Sequence, residues 1–575
     1  MSLQKNYNRW LSFEGLDSEL KEQLIGMQEI NSLIEDAFHK NLEFGTGGMR
    51  GELGPGTNRM NIYTVRKAAK GIALYIEEKG EEWKKKGVVV AYDSRHKSPE
   101  FALETAKVLG THGIPTYIFT SLRPTPELSF AVRYLGTAAG VMITASHNPP
   151  EYNGYKVYNE VGGQLPPGPA DEVIEKVNSI ENELEIEVME QAELEEKGLL
   201  RWIDDEVDQA YLKELKSVTL NKGVIYEQAE NLNIVFTPLH GTALGLVEKG
   251  LEQLGFKNVH IVEEQAIPDP EFSTVKSPNP EEHQAFELAI QKGKLVGADI
   301  LIATDPDADR LGVAAINSNG DYQVLTGNQL GALMLDYILR NVESVPDNGL
   351  MIKTIVTSEL GRAVAEHYGV TTEDVLTGFK FISEKIEKYN QTGEYQFLFG
   401  YEESYGYLIK DFARDKDAIQ ATMLACEMAA FYKSIGMSLF DALEQLYERH
   451  GYYIEDLHSL TLKGIDGSKQ IKNIMESFRV KPIELEGDLS VIAVEDYLVG
   501  KRTYLETGDT EDIHLPTSNV VKFILSDDCW CCLRPSGTEP KIKFYFGVKG
   551  DTKALAVRRL EILKDTVLNR VIIKH

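Results

Sequence analysis

The sequence predicts a multidomain α/β protein: three related α/β domains followed by a smaller C-terminal α+β domain. Two patterns carry this expectation. Short apolar, β-branched runs alternate with helical stretches in three successive rounds, as mainly parallel sheets flanked by helices require. From near residue 456 the alternation gives way to strand-like runs and one last amphipathic helix. A length of 575 residues fits three to five domains of roughly 100–200 residues. The expected division is 1–211, 212–328, 329–455 and 456–575.

In the first round, VVVAYDS (88–94) reads as a buried strand. Ser98 and Pro99 then open a helix through His112, serine as N-cap and proline in the first turn. PTYIFT (115–120) is a strand, 125–135 a helix, and AAGVMITAS (138–146) a buried strand ending in a loop. The acidic stretch 171–199 reads as a solvated helix and connection leading out of the first domain. The second round runs from NIVFTPLHG (233–241) through NVHIV (258–262) and a helix at 281–293 to ADILIATD (298–305). The third comprises LMIKTIVTS (350–358), the helix after it, and EYQFLFGYEES (394–404). The fourth region holds SVIAVEDYL (490–498) and a hairpin-like pair, NVVKFILSDDCWCCLRPS and KIKFYFGV. Its final helix carries Ala556, Leu560, Leu563 and Val567 on one face.

Composition narrows the function. A net charge of −29 argues against nucleic acid or an anionic membrane as partner. No run approaches the ~18 apolar residues of a membrane span, and the N-terminus MSLQKNYNRW lacks the apolar core of a secretory signal. Cys426, Cys529, Cys531 and Cys532 lack zinc-type spacing and read as reduced thiols, which points to the cytoplasm. A phosphate-ester substrate would oblige so acidic a chain to concentrate cations, or a metal, in one place.

Four loops carry chemistry. In TASHNPPEYNGYK (144–156), Ser146 follows a buried strand and precedes two prolines that fix the turn. In ATDPDADR (303–310), Asp305, Asp307 and Asp309 alternate, which in an extended segment sets three carboxylates on one side. Their repulsion calls for a cation. An EF-hand would need glycine and glutamate where Arg310 and Ile316 stand, so a compact oxygen site for Mg2+ fits better. GYEESYG (400–406) offers Glu402, Glu403 and Ser404 to sugar hydroxyls. RPSGTEPK (534–541) joins Arg534, Ser536 and Thr538 around Gly537 as an anion nest, with Lys541 and Lys543 nearby. A serine nucleophile, a magnesium triad, a polyol loop and a phosphate clamp together are the parts of phosphoryl transfer to a sugar.

With FGTGGMRG (44–51), these motifs resemble the α-D-phosphohexomutase superfamily, bacterial phosphoglucomutase type, in a phosphoglucomutase-2-like branch. The resemblance spans nearly the whole chain. It implies four domains with mixed sheets in the first three, around a central cleft, and a monomer or dimer. It makes Ser146 the phosphoserine and, with Asp305, Asp307 and Asp309, a ligand of one Mg2+. Glu402 and Ser404 match sugar contacts, Thr377 and Gly378 a sugar-specificity loop, and Arg534, Ser536, Gly537 and Thr538 the clamp for the phosphate not being transferred. Arg50, Lys156 and Lys416 match catalytic-region cations, and His147 and Arg310 accompany them as substrate contacts. Two departures stand out: Pro306 occupies a position where many members have glycine, and Gly406 one where a related group has histidine. The implied reaction converts glucose 1-phosphate to glucose 6-phosphate through glucose 1,6-bisphosphate. Phosphopentomutase and phosphomannomutase activities remain open alternatives.

Overall fold

The computed structural model describes residues 3–45, 47–462, 464–485, 487–536 and 541–572. The chain divides into two compact units, neither of them one continuous stretch. The larger comprises Met1–Gly327 and Phe379–Leu439, the smaller Asn328–Gly378 and Phe440–His575.

The larger unit contains two mixed sheets. In the first, Ala139–Ile143, Val88–Tyr92, Thr116–Phe119 and Leu200–Ile203 run parallel. Tyr152–Tyr158 and then Met49–Glu52 extend it antiparallel beyond Ala139–Ile143. Every residue of Val88–Tyr92 and Ala139–Ile143 is buried, which explains their unbroken apolar runs. Residues of helices Ile62–Lys79, Ser98–Thr111 and Pro167–Ser179 join these strands in one core. The second sheet repeats the scheme. Asn258–Ile261, Asn233–Thr237 and Ile300–Thr304 are parallel, and Leu311–Ile316 and Tyr322–Val324 complete it antiparallel. Residues 379–439 add a hairpin, Gln396–Glu402 with Gly406–Leu408, and the buried helix Ala418–Ser434.

One part of this unit differs from the sequence reading. The acidic 171–199 stretch does not lead away from the first sheet; it returns to it as the edge strand Leu200–Ile203. Within it, Glu183 is buried and accepts hydrogen bonds from Trp10 Nε1 (2.7 Å) and Arg9 Nη2 (2.6 Å). Both partners lie on the helix Leu3–Leu11, the first of three N-terminal helices with Ser18–Gly26 and Asn31–Phe38, and Trp10 packs against Phe38 and Tyr63.

The smaller unit pairs Gly349–Thr354 with Thr371–Val375 in parallel. It also holds a seven-stranded antiparallel sheet, in the order Tyr452–Thr461, Lys541–Gly550, Trp530–Pro535, Val521–Leu525, Val491–Asp496, Lys501–Tyr504, Thr510–Asp512. Residues of helices Gly464–Val480 and Lys553–Ile572 complete its core. The run 519–536 is two strands rather than one. Asp527 and Asp528, each at φ 57°, turn the chain between them, a left-handed pair typical of tight hairpins.

Candidate active site

In the larger unit, two strand ends bring distant loops together. The strand Ala139–Ile143 leads into a turn where Ser146 has φ 53°, a left-handed conformation costing a non-glycine residue about 1–2 kcal/mol. The Ser146 amide donates to Thr144 Oγ1 (2.8 Å), and its hydroxyl donates to Asp305 Oδ2 (2.7 Å) and lies 3.1 Å from His147 Nδ1. Burial, with Arg310 and Arg50 nearby, pushes His147 well below the usual imidazole value, so its ring is neutral near pH 7.

The strand Ile300–Thr304 delivers the acidic loop. Its carboxylates converge because 305–309 folds as a tight turn and not, as the alternation suggested, as an extended segment. The Ala308 amide bonds back to the Asp305 carbonyl (2.9 Å), Ala308 takes φ 55°, and Asp305 Oδ1 accepts the amides of Asp309 (3.0 Å) and Arg310 (2.9 Å). Asp305, Asp307 and Asp309 are buried, with one oxygen of each within 4.8 Å of the others. Pro306 sits against Gly241, where an added Cβ would lie 2.4 Å from the proline Cα. A turn containing Gly241 and Thr242 thus forms the seat of the proline that the sequence singled out.

Two lysines reach the same carboxylates. Lys156 Nζ contacts Asp307 Oδ2 (2.7 Å) and Asp309 Oδ2 (3.2 Å); Lys416 Nζ contacts Asp309 Oδ2 (3.1 Å) and Asp415 Oδ1 (3.3 Å). Burial alone would lower both amines, but the carboxylates outweigh it and raise them. Asp305 is pushed well up by burial and by the charges of Asp307 and Asp309. For Asp309 burial acts upward too, yet Lys156, Lys416 and Arg310 carry it below the usual range.

The donor set fits a small divalent ion. Asp307 Oδ1 and Asp309 Oδ1 are buried and accept no hydrogen bond among the described residues. Buried acceptors are rarely left so, and a cluster of hard carboxylate oxygens is chemistry suited to Mg2+.

Other expected residues fall into three groups. Arg50 Nη1 donates to Asn148 Oδ1 (2.7 Å), beside the serine turn, and Arg310 pairs with Glu281. Glu402 is buried at the end of its hairpin strand, Ser404 is half-buried in the turn, and the Glu402 carboxylate helps raise Lys416. Gly406 answers the second departure: a Cβ there would meet Lys416 Cδ at 2.2 Å. A side chain such as histidine would have to displace the lysine stem that fills its place. Thr377, Gly378, Arg534 and Ser536 belong to the smaller unit. Gly378 turns the chain at φ 122°, and Ser536 N–H bonds to the Lys541 carbonyl (2.7 Å) beyond the strand Trp530–Pro535. Gly537 and Thr538 lie outside the described residues.

The sequence reading missed two partners of these loops. Arg95 donates to carbonyls of the serine turn, and Thr125 donates to Asp307 through both its amide (2.8 Å, to the carbonyl) and its hydroxyl (2.9 Å, to Oδ2). Asp93-Ser94-Arg95 directly follows the parallel strand Val88–Tyr92, a place where functional side chains gather, and was open to the same argument as Ser146.

Known proteins supply the comparison. Family models for phosphoglucomutase/phosphomannomutase α/β/α domains I, II and III match residues 41–184, 209–318 and 326–450. The third match takes in residues of both compact units. A phosphoglucomutase of Staphylococcus haemolyticus is 42% identical over 90% of this chain and 92% of its own length. One from Staphylococcus epidermidis is 41% identical over 95% and 97%. Among solved structures, the Paramecium phosphoprotein pp63/parafusin, a phosphoglucomutase in its open form, has a TM-score of 0.67 at 16% identity over 92% of this chain and 95% of its own. A phosphoglucomutase/phosphomannomutase family protein from Burkholderia thailandensis gives 0.64 at 18% identity, over 92% and 97%. At such identities these two structures establish the fold. With its domains in family order and relatives above 40% identity along nine-tenths of its length, the chain belongs to the α-D-phosphohexomutase superfamily of intramolecular phosphotransferases, in its bacterial phosphoglucomutase branch.

Proposed function

We propose that this chain interconverts glucose 1-phosphate and glucose 6-phosphate, with Ser146 as phosphoryl carrier and glucose 1,6-bisphosphate as intermediate. One observation carries the reading: the Ser146 hydroxyl, presented by a strained turn, lies 2.7 Å from a carboxylate of the buried aspartate cluster. Asp305, Asp307 and Asp309, with a phosphoryl oxygen on Ser146, would hold Mg2+. When bound, the ion would neutralise charge on the phosphoryl group as the P–O bond loosens.

The chain's own residues do the rest. A sugar hydroxyl attacks phosphorus, the Ser146 Oγ–P bond breaks, and the hydroxyl proton passes to Ser146 Oγ by way of a base. The bisphosphorylated sugar then turns end for end, and Ser146 Oγ takes the other phosphoryl group back, returning the proton. Lys156, Lys416 and Arg50 counter the charge of the group in transit, and His147 and Arg310 border it. Glu402, Ser404, Thr377 and Gly378 bind sugar hydroxyls. Arg534, Ser536, Gly537 and Thr538 keep the role the family resemblance gives them, as ligands of the phosphate that stays on the sugar. The four segments 1–211, 212–328, 329–455 and 456–575 then supply serine, metal, sugar and phosphate contacts in turn.

The test is intact-mass and peptide mapping of the purified enzyme, followed by turnover of a panel of sugar 1-phosphates with Mg2+. One covalent phosphate on Ser146 and a preference for glucose 1-phosphate are expected. A Ser146→Ala variant that keeps normal turnover would refute the carrier role.

A further inference from the structure

The turn that carries Ser146 is gripped by a side chain that shares no hydrogen bond with the reacting groups. Arg95 Nη1 donates to the carbonyls of Pro149 (2.8 Å) and Tyr152 (2.9 Å), and Nη2 to those of Ser146 (2.6 Å) and Asn148. Four carbonyls from one seven-residue stretch thus converge on two nitrogens. The guanidinium is buried and cannot swing away. Its Nε faces Asp93 Oδ2 at 3.3 Å, and the Phe272 ring centroid lies 4.9 Å from its central carbon. Asp93 is fixed in turn, its Oδ1 accepting the Arg95 amide (3.0 Å) and the Ser98 hydroxyl (2.9 Å).

Resting on the reading of Ser146 as phosphoryl carrier, we infer that Arg95 is a positioning residue for the phosphoryl-bearing hydroxyl. A left-handed serine would relax toward an ordinary turn if its flanking carbonyls were free to rotate. One of the four carbonyls belongs to Ser146 itself, so the strained residue is tied directly. A planar fork of N–H donors suits four carbonyls in different directions; the single nitrogen of a lysine does not. The grip keeps Oγ aimed at the Asp305 side of the site, where misplacement by about 1 Å is enough to cost roughly 100-fold in rate.

The experiment compares Arg95→Lys and Arg95→Ala with wild type, each isolated with phosphate on Ser146. Rapid-quench intact mass follows loss of that phosphate to glucose 1-phosphate, Mn2+ titration reports the aspartate site, and melting reports folding. Expected are folded variants with transfer slowed about 100-fold, KM and Mn2+ affinity essentially unchanged, and partial rescue of Arg95→Ala by sub-denaturing guanidinium but not methylammonium. Wild-type transfer rates in a folded variant, absence of rescue, or failure of both variants to fold would overturn the inference and leave Arg95 a stabilising residue. If wild-type protein itself carries no transferable phosphate on Ser146, the mutase reading falls as well, and that result is visible before any Arg95 variant is made.

Discussion

At the scale of single residues, small spaces and single donors set the site. Gly406 leaves the room through which Lys416 reaches Asp309. Gly406→Ala is expected to displace the lysine, lowering kcat by about 10-fold or more, with an overpacking cost of about 1–3 kcal/mol; steady-state kinetics and urea unfolding check both parts. Thr125 supplies one hydrogen bond to Asp307 Oδ2. Thr125→Val should weaken Mn2+ binding by about 10-fold, in the range for partners of metal ligands, while leaving the melting temperature nearly unchanged. In the smaller unit, burial pushes Glu455 up to about 7, against hydrogen bonds from Ser358 and Asn328 and with the Glu359 charge adding to it. Because the folded state holds that proton more tightly than the unfolded chain, this contribution is complete below about pH 4.5. It is lost as pH rises through about 7. Glu455→Gln should flatten that slope, gaining on the order of 1–3 kcal/mol relative to wild type at pH 8, measured by melts across pH. Ser146 and the aspartates were legible in the sequence because their chemistry is concentrated in short motifs. Thr125 was not, because it acts on a group 182 residues away that no local pattern announces; Arg95 was signalled only by its place just after a parallel strand.

Among elements, burial decided what could be read. Strands buried on both faces, such as Val88–Tyr92 and Ile300–Thr304, gave continuous apolar runs and were found. Leu200–Ile203 and Thr371–Val375 are largely exposed or half-exposed, and the sequence reading did not single them out. The acidic 171–199 stretch looked solvated because glutamates dominate it, yet Leu194, Val173 and Val177 enter the core and Glu183 is satisfied by Arg9 and Trp10. That pairing ties the first helix into the larger unit. Trp10→Ala is expected to cost about 3–5 kcal/mol, as for a fully buried aromatic, measured by denaturant unfolding of the larger unit followed by circular dichroism.

For the whole molecule, the fold class followed from repetition of strand and helix, and the compact units did not. The family's third domain spans 326–450, yet its chain is shared between two units with separate cores. Two cores make a single two-state transition a poor description. Calorimetry should show a van't Hoff enthalpy below the calorimetric one. Added Mn2+ should raise the transition of the larger unit, which holds the aspartates, far more than that of the smaller. The interleaved chain also constrains birth on the ribosome. Residues 328–378 emerge well before the sheet that completes their unit, and the larger unit cannot close until residue 439 has left the exit tunnel. At roughly 5–20 residues per second, the nascent 328–378 segment waits about 10–40 s for the last of its companions. The smaller unit therefore completes its fold only after synthesis has passed well beyond its first segment, however early the local pair Gly349–Thr354 and Thr371–Val375 forms.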